Sequence, residues 1–434
     1  MSANPQWRSS AGFVLAALGA AVGLGNIWRF SYVAGENGGG AFVLAYLVSV
    51  AALGLPLLVA ELAIGRHAHA DPLAAFGKLA PRAPWRWTGW LGVAAAVAIL
   101  TYYPLVAGWV AAYLWHFAFA GVAPEEAGGY AAQFSRLLAD PARTLFWYAM
   151  VLAATAAIVA FGVQRGIERA CKALMPLFAL LLLLLAGYGL TLEGAGRALG
   201  FLFAPQWSAL ASPGTWLAAV GQAFFSIGLG MAIFVTYGGY LPRRERLPRA
   251  ALMIVMGDTA VALVAGLAIF PGVFTYGLDP AQGATLAFAV LPEVFAQMPL
   301  GRGIGATFFL LLLIAALTSA VSLLEVPVAL AIARLGWPRA RAAWAMGLAA
   351  FVLGAPAAFV APWLDLVDRF SSNLLLPASG IAIALVAGWA WAPGAARQAA
   401  DLPEGPAARL WLWSLRLALP AVIALVMIGG LGGF

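Results

Sequence analysis

A few polar residues stand inside long apolar runs of this chain, where each is costly. They are Asn26 and Arg29, Glu61, the pair Tyr102-Tyr103, Ser226, Asp258, the pair Thr318-Ser319, Glu325, and a cluster of Asp365, Asp368 and Arg369. Asn26, Ser226, Asp258, Thr318 and Ser319 are all oxygen donors, the ligand type a bare hard cation such as Na⁺ takes. Two glycine clusters accompany them, Gly19 to Gly25 ahead of Asn26, and Gly228-Leu-Gly230 just after Ser226. Clustered glycines destabilise a helix interior, and an interrupted helix exposes carbonyls for a cation and amides for a carboxylate. A tyrosine hydroxyl can add a hydrogen bond to that carboxylate. The set describes a site for a zwitterion and a cation. Each feature also has a structural reading. Thr318 and Ser319 can back-bond to their own helix, the usual fate of a membrane hydroxyl. Asp258 can partner a buried arginine, and Gly19 and Gly23 fit the spacing of a helix-packing face.

The elements that carry these residues follow from composition. Of 434 residues, 64% are hydrophobic and 9% charged, against roughly 25% charged in soluble proteins. That excludes a soluble globular fold, and also disorder, which needs low hydrophobicity. Unbroken apolar runs exclude a transmembrane β-barrel, whose strands alternate. An all-α polytopic membrane protein remains. Charged and Pro/Gly punctuation predicts eleven spans, roughly at 10–33, 40–65, 88–120, 142–161, 167–192, 214–240, 249–275, 302–334, 341–360, 364–391 and 409–431. No soluble domain or low-complexity linker separates them, so the chain reads as one domain.

Basic residues fall in alternate connections: Arg66, Lys78, Arg82 and Arg86; Arg165, Arg169 and Lys172; Arg243, Arg244, Arg246 and Arg249; Arg334, Arg339 and Arg341; Arg397 and Arg409. The opposite loops carry Glu36, Glu125, Glu126, Glu193, Asp279 and Glu293. The positive-inside rule then puts the N-terminus in the cytoplasm and, with eleven spans, the C-terminus outside. This asymmetry accounts for the net charge of +7 without nucleic acid. The first apolar run reads as a retained span and not a signal peptide. The single cysteine, Cys171, forbids an intrachain disulfide and a cysteine metal cluster. His67 and His69 flank a loop, where solvated side chains are expected.

The run Ala21-Val-Gly-Leu-Gly-Asn-Ile-Trp-Arg-Phe30, followed by Glu36-Asn-Gly-Gly-Gly-Ala-Phe42, resembles the neurotransmitter:sodium symporter family, especially its bacterial amino-acid transporters. Further matching residues keep the same order: Gly54-Leu-Pro through Glu61 to Gly65-Arg66, Tyr102-Tyr103, Gly108-Trp109, Met175-Pro176, Gly221-Gln-Ala-Phe-Phe-Ser226, Asp258, Ile269-Phe-Pro271, Leu317-Thr-Ser319 and Glu325. The resemblance runs from about Trp7 to Pro377.

It implies an inverted repeat of spans one to five (about 10–192) and six to ten (about 214–391), with an extra helix at about 409–431. Spans one and six are expected to be unwound at mid-membrane. It also implies sodium-coupled uptake by alternating access, with two Na⁺ sites and no organic cofactor. One Na⁺ would bind the carbonyls of Gly19, Val22 and Ala315 and the hydroxyls of Thr318 and Ser319. The other would bind the Ala21 carbonyl, Asn26, Ser226, Asp258 and the substrate carboxylate. Tyr103 and the amides near Leu24 and Gly25 would hold that carboxylate, with Phe225 and Tyr103 as a lid. Ala20, Leu24, Ile99, Phe225, Gly228, Met231, Ser319 and Leu323 would line the side-chain pocket. Arg29 and Asp368 would form the outer gate, directly or through water, and Tyr240 fits the inner-gate tyrosine. Glu61 and Glu325 would brace the unwound sixth span or connect the bundle.

Three departures carry expectations of their own. Asp258 stands where some members have asparagine, so transport is expected to be chloride-independent. Gly228 is small where relatives often carry serine, and Met231 is flexible, so the pocket is expected to admit bulky hydrophobic or aromatic amino acids. The usual inner-gate Arg–Asp pair is replaced by Asn4 and Ala333, which shifts the inner gate to Trp7 packing, with Arg8 in an unassigned role. The implied protein is a transporter of the bacterial inner membrane, monomeric or a weak dimer, working in the lipid bilayer, and not an enzyme. A proton-coupled transporter, with Asp258 or Glu61 titrating, and a non-transporting amino-acid sensor are the alternatives.

Overall fold

The computed structural model describes residues 6–81, 84–125, 128–242, 244–280 and 286–431. Asn4, Arg82, Glu126 and Arg243, which entered the expectations above, lie outside the described residues. Nine helices among them are long and apolar enough to cross a bilayer: Gly40–Ala68, Trp85–Ala120, Pro141–Ala160, Val163–Gly189, Leu247–Thr275, Gly301–Leu335, Arg339–Ala358, Pro362–Ala390 and Pro406–Gly430. A tenth is the bent pair Ser10–Ala21 and Gly25–Glu36, whose halves meet at 55°. The remaining expected span, 214–240, is two short helices, Pro213–Ile227 and Ile233–Gly239. Neither is long enough to cross alone, so length and apolarity count ten spans where the sequence suggested eleven.

Local chemistry explains both interruptions. Ser9 caps the first helix by accepting from the Gly12 amide at 3.0 Å, and helical bonding ends where Val22 turns extended. In the sixth segment Gly228 and Gly230 both sit at φ +80° and Ala232 at +55°. Left-handed backbone comes easily to glycine, whereas at Ala232 it costs about 1 kcal/mol or more. The connection is held from outside: Glu61 Oε1 accepts from the Gly230 amide at 2.8 Å. Close packing adds to this, because a Cβ on Gly92 would lie 2.9 Å from the Ala232 methyl.

Trp85–Ala120 and Gly301–Leu335 run against each other along much of their length and are the most buried spans. They form the wall on which the broken helices lean. Pro406–Gly430 is the most peripheral. Short helices outside the spans, such as Pro72–Leu79, Gly129–Ala139 and Ala195–Phe203, were not anticipated from hydropathy.

Two loop expectations are revised. Arg66 is buried, and its guanidinium binds Asp401 at 2.8 Å and the carbonyls of Ala399 and Glu245, tying three connections together. His67 is exposed and packs on Trp391, but His69 is half-buried with Nδ1 3.1 Å from the Gly239 carbonyl. Among the described residues no group of three or more His, Cys, Asp or Glu side chains is arranged to hold a metal.

Candidate functional site

Two oxygen clusters flank the break in the first span. In one, Ser319 Oγ lies 3.3 Å from the Gly19 carbonyl, 3.4 Å from that of Ala20 and 3.2 Å from that of Val22. Thr318 Oγ1 lies 3.1 Å from its own helix carbonyls at Ile314 and Ala315. Gly19 brings the two helices together, since a Cβ there would stand 3.1 Å from Thr318 Cβ. Every donor in the cluster is an uncharged oxygen.

The second cluster is built on Asp258, which is fully buried. Its Oδ2 accepts from Ser226 Oγ at 2.8 Å and from the Tyr46 hydroxyl at 3.2 Å. Its Oδ1 accepts from Asn26 Nδ2 at 2.6 Å. Asn26 Nδ2 also lies 2.8 Å from Ser226 Oγ, and Asn26 Oδ1 accepts from the Gly23 amide at 3.0 Å. No basic side chain pairs with Asp258 among the described residues, so a structural arginine partner is not its role. The amide hydrogens of Asn26 satisfy the carboxylate. Tyr46, in the second span, was missed by the sequence reading. Ala21 is buried at the end of the first half-helix.

The two halves of span one are stitched to their neighbours at the same level. The Leu24 amide donates to the Tyr103 hydroxyl at 3.2 Å, and Gln222 Nε2 donates to the Gly25 carbonyl at 2.9 Å. A Cβ on Gly23 would lie 2.7 Å from the Tyr103 hydroxyl and 2.8 Å from Ser319 Oγ. One on Gly25 would meet the Phe225 ring at 2.9 Å. Ala20, Leu24, Ile99, Met231 and Leu323 are buried around this level, and Met231 Sδ lies 4.0 Å from where a Gly228 Cβ would be.

Toward one face, Arg29 lies over the Phe225 ring at 4.5 Å and lines a cavity of about 420 Å³ with Glu36, Phe224, Ser372 and Ile423. Asp368 accepts from the Tyr102 hydroxyl at 2.6 Å and from Ser372 at 3.1 Å. Among the described residues Arg29 and Asp368 form no direct ion pair. Bonds from Trp7, Tyr240 and Glu325 tie the helices together toward the opposite face. The Trp7 amide donates to the Tyr240 carbonyl at 3.1 Å, and its indole donates to the Tyr237 carbonyl at 3.0 Å. The Tyr240 hydroxyl donates to Glu325 Oε1 at 2.7 Å, and Glu325 pairs with the Arg339 guanidinium. Arg339 Nε also donates to the Val159 carbonyl at 2.9 Å. The Arg8 amide donates to the buried Glu168 carboxylate at 2.8 Å.

The model of the sodium:neurotransmitter symporter family matches residues 4–126 and 131–432. The chain belongs to that family. The uncharacterized sodium-dependent transporter YhdH of Bacillus subtilis (strain 168) is 39% identical, with 98% of each chain covered. An uncharacterized sodium-dependent transporter of Haemophilus influenzae is 30% identical over 98% of each. Among solved structures, the crystal structure of MhsT in complex with L-phenylalanine is 46% identical, covers 99% of this chain and 100% of that one, and superposes with a TM-score of 0.91.

The family is one of multi-pass secondary transporters and not of enzymes, and this symporter shares its helical fold with broken first and sixth helices. Sodium is the coupling ion of the family. Within this symporter, Glu61 braces the unwound sixth helix, whereas Glu325 ties Tyr240 to Arg339. From the sequence, Arg339 is a loop charge only. The signal for its second role was Glu325, an acid inside an apolar span that a nearby base can partner.

Proposed function

We propose that this symporter couples Na⁺ entry to uptake of a hydrophobic, bulky or aromatic amino acid by alternating access, without chloride. The observation that carries this reading is the pair of oxygen clusters facing each other across the break in the first span. One Na⁺ would take the carbonyls of Gly19, Val22 and Ala315 with the hydroxyls of Thr318 and Ser319. The other would replace the Asn26 amide hydrogens between Ser226 and Asp258, with Asn26 Oδ1 and the Ala21 carbonyl turned to the ion. The substrate carboxylate would complete this second site, held by Tyr103 and the amides at Leu24 and Gly25. Substrate and ion then each complete the other's site, so coupling is a reciprocal free energy.

The negative charge of Asp258 beside that ion supports the chloride-independent reading. The pocket of Ala20, Leu24, Ile99, Phe225, Gly228, Met231, Ser319 and Leu323 has an open Gly228, and a similar protein, MhsT, has been solved with L-phenylalanine. Both support a large apolar side chain. Arg29 and Asp368 form the outer gate above Phe225, while Trp7, Tyr240, Glu325 and Arg339 close the inner one. The repeats span about 10–192 and 214–391, with the helix at 409–431 outside them. The positive-inside pattern supports a bacterial inner-membrane location with a cytoplasmic N-terminus and an outer C-terminus, as a monomer or weak dimer.

The test is uptake of labelled amino acids into proteoliposomes with a Na⁺, K⁺ or pH gradient as the only driving force. Uptake only with the Na⁺ gradient, unchanged when gluconate replaces chloride, is expected. Phenylalanine, tryptophan or leucine should compete better than glycine. Equal uptake in K⁺ and Na⁺ would overturn the symport reading, and a pH gradient sufficing alone would favour proton coupling.

A further inference from the structure

A groove of about 890 Å³ opens on the outer flank of the bundle, away from the ion and substrate residues. Its floor is apolar, from Leu73 on the short helix Pro72–Leu79, Val93 and Val97 on the third span, Leu330 on the eighth, and Met346 on the ninth. Its mouth is basic, with Lys78, Arg86 and Arg334. It lies at the Tyr240 end of the molecule, because Asp71, which caps the Pro72–Leu79 helix, lines a neighbouring cavity with Tyr240.

Charge is unbalanced at this mouth. No acidic residue lines the groove among the described residues. One acid beside it, Asp71, accepts from the Leu73 and Ala74 amides and lies 3.9 Å from Arg334. Lys78 Nζ donates to the Ala68 carbonyl at 2.9 Å, so these three cations have one already engaged carboxylate beside them and a neutral carbonyl. Trp87 and Trp90 are about half exposed beside the basic residues, and Arg86 lies over the Trp87 ring at 5.3 Å. Tryptophan at a membrane edge marks the headgroup level. An apolar cleft below that level and cations at it match one amphiphile, with an acyl chain below and an anionic headgroup above.

We infer that this groove binds one anionic glycerophospholipid, its chain between the third, eighth and ninth spans and its phosphate at Lys78, Arg86 and Arg334. The third and eighth spans also carry Tyr103 and Thr318-Ser319, so the lipid would rest on the helices that build the ion and substrate clusters. The assignment depends on the membrane-spanning fold and not on which amino acid is carried.

Gly77 offers a probe, since a Cβ there meets nothing within 4 Å. The native Cys171 is buried and does not compete for labelling. A Gly77→Cys chain carrying a bimane fluorophore is reconstituted in phosphatidylcholine vesicles. These contain increasing brominated-chain phosphatidylglycerol or, in parallel, brominated-chain phosphatidylcholine. Half-maximal quenching is expected at a mole fraction about fivefold lower or more for the anionic lipid. The preference should vanish in a K78Q/R86Q background and weaken in high salt. Equal quenching by the two lipids would overturn the proposal. So would shielding from both lipids that grows with protein density, which would assign the face to a second copy. In the unsubstituted chain, phosphatidylglycerol added to detergent micelles should raise the unfolding midpoint more than phosphatidylcholine does, and equal shifts would refute the site independently of any variant.

Discussion

A hydroxyl in a membrane helix normally bonds a carbonyl one turn back. Thr318 does so, but Ser319 reaches three carbonyls of another helix. Removing that oxygen leaves the carbonyls of the break facing each other without a donor. We expect Ser319→Ala to raise the Na⁺ concentration for half-maximal uptake about tenfold, as suits the loss of one charge-assisted contact of ~1.5 kcal/mol, read from sodium titrations of uptake. At Gly23 the argument is steric: a methyl would overlap both the Tyr103 hydroxyl and Ser319 Oγ. Gly23→Ala should therefore abolish uptake while the chain still inserts and elutes as a single species in detergent. Most of this site was legible because a polar side chain in an apolar run carries a cost that only a partner or a ligand offsets. Asn26, Ser226 and Asp258 stood out, and they meet. Tyr46 did not stand out, because an amphipathic ring is unremarkable in a span, and only the fold brings its hydroxyl to Asp258.

Among the elements, the broken sixth helix depends on groups outside itself. Gly230 donates its amide to Glu61, a bond no periodicity could reveal, since the partners lie 169 residues apart. Glu61→Ala would leave that buried amide unsatisfied at a cost of about 1–3 kcal/mol. A lowered unfolding midpoint and lost uptake are expected, with partial recovery in Glu61→Gln. The glycine clusters announced that the helices break, which left-handed residues bear out in the sixth span and extended Val22 with a 55° bend bears out in the first. Hydropathy did not announce the short helices, since segments of about eight residues such as Pro72–Leu79 lie below the length that an apolar window detects. The Tyr240 end of the bundle makes a similar point. Glu325 and Arg339 are joined across two spans. Losing one partner of a buried pair costs about 3–5 kcal/mol, more than losing both. Arg339→Ala should thus destabilise the chain more than an E325L/R339L double variant, a comparison that thermal unfolding of the three proteins settles.

At the scale of the whole molecule, ion binding and folding are linked. A ligand at a hundred times its dissociation constant stabilises the form that binds it by about 2.7 kcal/mol. Exchange of K⁺ for Na⁺ should raise the unfolding midpoint, and an apolar amino acid should raise it further only when Na⁺ is present. A last consequence concerns Asp258, the buried carboxylate without a basic partner among the described residues. With two Na⁺ bound as proposed, a carrier with a neutral amide at this position would cross the membrane loaded at +2 and return at zero. With Asp258 ionised, the same cycle becomes +1 loaded and −1 empty. The total charge moved is the same, but the work of the membrane voltage is divided between the two half-cycles. A full crossing by one charge is worth about 2.3 kcal/mol per 100 mV. A negative cell interior would therefore drive the empty carrier outward as well as the loaded one inward, and Asp258 would make the membrane potential a clock for the return stroke.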